Sequence, residues 1–130
     1  MRKIFILTLL SIFGCKSEPI CTINENNAGK QNYDLDEASC FIALKLDKKA
    51  SDLKLIHSAL IAELNYGDKI GLYSDNPNSE NEPESSISLD INKMVEYALM
   101  VENVDLSENE LLEIYDVEIE YLKFIGIVDE

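Results

Sequence analysis

Apolar side chains recur at helical spacing in four stretches of the chain. The clearest is 51–66, where Leu53, Ile56, Leu60 and Leu64 fall about one turn apart, Ser51 stands where a cap belongs and Gly67 where a helix stops. Leu55, Ala59, Ile61 and Ala62 fill much of the remaining circumference. That leaves Lys54, Ser58 and Asn65 in one narrow polar stripe and Asp52 with Glu63 in another. A helix so apolar is expected at the centre of a fold. Upstream, Asp34 and Glu37 have capping-box spacing ahead of Leu35, Ala38, Phe41, Ile42 and an apolar run to Leu46. A strand through 39–46 competes there, because Cys40, Ile42, Leu44 and Leu46 alternate.

The third stretch, 89–101, places Ile91, Met94, Val95, Ala98 and Val101 on one face, with Ser88 or Asp90 as its cap. The fourth, 108–125, opens with Ser107 and Glu110 in a second capping box. It continues through Leu111, Leu112, Tyr115, Ile119, Leu122 and Ile125 and ends at Gly126-Ile127. Within it the segment 115–121, YDVEIEY, alternates like a strand. The start and stop signals favour a helix, which places Glu118 inside the apolar arc. The pattern predicts a mainly α fold, a small bundle of about four helices, with an α+β arrangement carrying a strand near 115–121 as the alternative.

Between these stretches the pattern lapses. Residues 20–33 are Asn-rich without a period and read as an irregular arm, and 69–73 read as a short strand or extended pass. Residues 74–86, SDNPNSENEPESS, hold no apolar side chain apart from two prolines and predict a mobile acidic loop. The expected organisation is a leader at 1–14, a tether and arm at 15–33, and one helical domain at 34–130.

The leader starts with Arg2 and Lys3 and runs apolar from Ile4 to Phe13, broken only by Thr8 and Ser11. It is too short to span a bilayer, which takes roughly 20 residues, and has the pattern of a secretory signal peptide. Ile12-Phe13-Gly14-Cys15 resembles the lipobox of bacterial lipoproteins, with Phe13 bulkier than usual. The resemblance covers only the first fifteen or so residues. It implies diacylglycerol on Cys15, cleavage before it, and a polar tether starting at Lys16. It also implies outer-membrane sorting, since no Asp follows the cysteine. Three cysteines are an odd number for an exported chain, and lipidation of Cys15 leaves Cys21 and Cys40 as a disulfide pair. The alternative is an ordinary secretory signal with Cys15 as a plain thiol or disulfide partner.

Charge narrows the partners. The chain holds 25 acids against 11 bases, a formal charge of -14, and loss of Arg2 and Lys3 with the leader makes it -16. Such a surface repels phosphate backbones, so nucleic acid is not an expected partner and basic proteins are. From Glu96 to Glu130 eleven acids face the single base Lys123. Glu113, Asp116 and Glu120 fall within one polar arc of the fourth helix and form a candidate ridge for a basic partner.

Catalytic chemistry finds little to work with. His57 is the one histidine and lies at the edge of the Leu53, Ile56, Leu60 face, where a core-margin role is expected. Neither a zinc site nor a His-activated nucleophile can be assembled, and no Cys-X-X-Cys motif is present. Asp75, Glu80, Glu82 and Glu84 lack the glycine and alternating ligands of an EF-hand loop. The expectation is a non-enzymatic envelope lipoprotein without cofactor that acts as a binding module. Most specifically, it is an immunity or inhibitor protein against a basic toxin or lytic enzyme. The alternative is a structural or accessory lipoprotein of an envelope complex.

Overall fold

The computed structural model describes residues 18–72 and 90–129; the leader, Cys15 and the acidic stretch 74–86 lie outside the described residues. Four α-helices follow in order, α1 Leu35–Lys45, α2 Leu53–Lys69, α3 Ile91–Met100 and α4 Glu108–Phe124. Short 3-10 turns at Glu25–Asn27 and Ala50–Asp52 precede α1 and α2. Among the described residues there is no strand: 39–46 falls largely within α1, and 115–121 is continuous α4. The alternating pattern of YDVEIEY loses to tertiary demand, because the helix buries Tyr115, Glu118 and Tyr121 together at i, i+3, i+6.

Side chains set the helix starts. Asp90 accepts from the amides of Asn92 and Lys93, and Ser107 and Glu110 form the reciprocal capping box that their spacing predicts. Asp34 caps α1 by accepting from the Glu37 amide at 3.0 Å, but the box is only half made. The Glu37 carboxylate turns elsewhere, and the Asp34 amide donates instead to the Tyr121 hydroxyl at 3.3 Å. Ser51 does not cap α2. It sits inside the preceding 3-10 turn, where the Asp52 carboxylate takes the Lys49 amide at 2.9 Å.

Helix stops follow one device. After α4, Gly126 takes φ +83° while its amide reaches the Lys123 carbonyl and the Ile127 amide reaches Leu122. After α2, Gly71 takes φ +80°, its amide bonding Asp68 and the Leu72 amide bonding Gly67. The expected stop at Gly67 is therefore four residues early: Gly67 is buried within the helix, and Lys69 belongs to α2 rather than to a strand. After α1 the left-handed position falls to Asp47, at φ +53°.

The core joins all four helices, with Ile42 of α1, Leu60 of α2, Ala98 of α3 and Leu111 of α4 fully buried. Helices α2 and α4 run in the same direction. Asp52 and Ile56 line one small cavity with Glu110 and Ile114, and a turn further on the Tyr115 hydroxyl donates to the Ala59 carbonyl at 2.9 Å. Against α4, α1 is locked by stacking of Phe41 on Phe124 and packing of Phe41 on Tyr121.

The arm ahead of α1 is irregular, as expected, but firmly held. Cys21 and Cys40 are disulfide-bonded. The amides of Gly29 and Gln31 donate to the Phe124 and Ile125 carbonyls at 3.0 and 2.7 Å, closing the C-terminal end of α4. The approach is close: a Cβ on Gly126 would lie 3.1 Å from the Gly29 Cα.

Candidate functional site

The three acids expected to face a partner are all exposed on α4. Positions i, i+3 and i+7 hold them on one face, opposite the buried Leu111, Ile114 and Tyr115 that fix the helix to the core. Glu113 and Asp116 carry no ion pair among the described contacts, whereas the Glu120 carboxylate has the Lys45 ammonium 3.8 Å away. Both side chains of that pair are more than half exposed, so water and salt screen it. The ridge is thus most negative toward its N-terminal end.

His57 is a margin residue. It lines an open groove with Cys21, Asp36, Ser39, Cys40, Leu53 and Lys54, and its Nε2 lies 3.4 Å from the exposed Asp36 carboxylate. Serine, histidine and aspartate therefore share one groove. The Ser39 hydroxyl, however, is buried and donates to the Leu35 carbonyl of its own helix at 2.8 Å, which directs it away from nucleophilic attack. Among the described residues no three His, Cys, Asp or Glu side chains gather in a way that holds a metal, and no helix is long and apolar enough to cross a membrane.

Two buried glutamates carry the electrostatics of the interior. Glu37 accepts from the Asn24 amide at 3.2 Å, the Asn27 side-chain amide at 2.9 Å and the Tyr121 hydroxyl at 3.0 Å. Those bonds tie the arm, α1 and α4 at one point. Burial, opposed by a backbone hydrogen bond at Asp34 and reinforced by the Glu37 carboxylate, pushes the Tyr121 hydroxyl up to about 12.

Glu118 is only 5% exposed and its Oε2 has no hydrogen-bond partner. Its carboxyl meets that of Glu63 across the α2–α4 seam, and the Tyr33 hydroxyl of the arm reaches it. Burial first, then hydrogen bonding and charge from Glu63, push Glu118 up to about 10, while burial raises Glu63. Tyr115 beside them is also raised, by burial and then by the two carboxyls. The sequence flags Glu118 through its place in the apolar arc. Its partner is less legible, since Glu63 is half-buried, shares a polar stripe with Asp52, and nothing local marks it as facing α4.

Comparison with protein-family models, with curated proteins and with solved structures finds no match to this chain in any of the three.

Proposed function

We propose that the protein is an envelope lipoprotein, anchored through acylated Cys15, that binds a basic protein partner along the exposed face of α4. Its most specific form is an immunity or inhibitor protein that masks a basic toxin or lytic enzyme. The observation that carries the reading is the placement of Glu113, Asp116 and Glu120 on one solvent-facing strip of a helix whose opposite side is core. Acids held on a rigid element need no ordering to meet a basic surface. A formal charge of -14, or -16 once Arg2 and Lys3 leave with the leader, attracts such a partner over long range, speeding encounter in a salt-dependent way. Two acyl chains anchor a protein stably where one does so marginally, which suits a module kept at the membrane.

The test uses the full-length chain expressed in cells. Wild type should fractionate with membranes and Cys15→Ser should not, with mass spectrometry of the mature N-terminus showing diacylglycerol on Cys15. Pull-down from envelope extracts should recover a basic protein at low salt and lose it at high salt. Charge reversal at Glu113 and Asp116 should abolish that recovery without altering the circular dichroism spectrum. An unmodified Cys15 contradicts the anchor, and recovery that ignores both salt and the ridge variants contradicts the interface.

A second reading, a structural or accessory lipoprotein of an envelope complex, draws on the apolar side chains at the end of α3. Met100 is 75% and Val101 55% exposed. On that reading a complex survives ridge reversal and is lost when Met100 and Val101 become polar.

A further inference from the structure

We propose that the α2–α4 seam is closed by a proton shared between Glu63 and Glu118, making the fold a pH-responsive device that is tightest in acid and loosens in alkali. Tyr115 bonds Ala59, and the two helices run parallel, so Glu63, one turn beyond Ala59, meets Glu118, one turn beyond Tyr115. Two carboxyl groups in hydrogen-bonding reach need a proton between them, because two carboxylates offer only acceptors.

Among the described residues no cation stands in its place. From α2 the titratable neighbour is Glu63, from the arm it is Tyr33, and on α4 itself it is Tyr115, whose hydroxyl is already engaged with Ala59. The buried acid of α1, Glu37, is bonded to Tyr121 instead. Glu118 as a whole is 5% exposed, and its buried Oε2 would be an orphaned charge if ionised. In the acid form one oxygen becomes a donor and the Glu63 carboxylate accepts from it. Ionisation would put two negative charges side by side in the seam, one of them on the buried Glu118, and the relief is to part α2 from α4 or to lift Tyr33.

The sign follows from linkage. In the unfolded chain Glu118 releases its proton near the ordinary 4.5, whereas in the fold it holds it to about 10. Its contribution to stability is therefore complete below the lower value, declines through the interval and is gone above the upper one.

Urea unfolding of wild type, Glu118→Gln and Glu63→Gln from pH 5 to 9 tests this. Relative to Glu118→Gln, the wild-type unfolding constant should rise toward tenfold per pH unit, about the limit for one proton. The two proteins should approach each other at pH 5, and the glutamine variant should be the more stable at pH 9. Self-repulsion of the acidic surface affects both and cancels in the comparison. Glu63→Gln removes the opposing charge and should also flatten the profile, which keeps the test available if Glu118→Gln does not fold. Profiles of wild type and both variants that run parallel over the range would overturn the proposal.

Discussion

Glu37 and Glu118 are both buried glutamates on helices, and the fold treats them in opposite ways. Glu37 stands where the arm, α1 and α4 meet and receives three donors, so its carboxylate is satisfied as an ion. Glu118 stands where α2 and α4 meet, opposite another acid and with one oxygen unpartnered, so its carboxyl is satisfied as an acid. Burial alone decides neither outcome. What decides is whether the neighbouring elements bring donors or acceptors, since an unmade bond in the interior costs more than a made one returns.

The sharpest way to break this comparison is to delete both carboxyls. Glu37→Leu strands the donors of Asn24 and Asn27, leaves the Tyr121 hydroxyl only a long bond to the Asp34 carbonyl at 3.4 Å, and should cost about 3 kcal/mol. Glu118→Leu at pH 7.5 removes a buried carboxyl that must hold its proton where the unfolded chain has released it, and should cost less than about 1 kcal/mol, or stabilise. Urea midpoints with unchanged m-values measure both, and equal losses at the two sites would contradict the distinction.

Two of the three donors at Glu37 come from an arm that the disulfide holds, so breaking Cys21–Cys40 should be nearly as costly. The bridge spans 19 residues, and Cys21→Ser with Cys40→Ser should lose about 3 kcal/mol. Added to Glu37→Leu, the pair should show less than the sum, because both act by releasing the arm.

A smaller effect is expected where the arm meets the end of α4. Gly126→Ala places a Cβ at φ +83° and 3.1 Å from Gly29, and should cost about 1–2 kcal/mol in thermal unfolding. The smallest effect belongs to the ridge: a double-mutant cycle on Lys45 and Glu120, 3.8 Å apart and half exposed, should give a coupling below about 0.5 kcal/mol. That weakness leaves Glu120 available to a partner at little cost to the fold.

Much of the architecture was legible because it is written locally. Ser107 with Glu110 and Gly126 with Ile127 bracket α4 as their spacing predicts, and the exposure of Glu113, Asp116 and Glu120 follows from the same periodicity. The stop of α2 was read at Gly67 because the apolar period fades there, although Gly71-Leu72 repeats the Gly-apolar pair that ends α4. Glu37 was read as a capping partner, and no local signal could redirect it, since its donors Asn27 and Tyr121 are 10 and 84 residues away. The Glu63–Glu118 contact was hidden for the same reason: each residue is explicable on its own helix, and only the register of α2 against α4 brings them together.

The most direct test of the central distinction is carbon NMR of the wild-type protein labelled at the glutamate carboxyl carbons and titrated from pH 4 to 9. The account predicts that at pH 7 the Glu118 resonance keeps the shift of a protonated acid. A Glu118 resonance that already shows the shift of a carboxylate at pH 7 would contradict it.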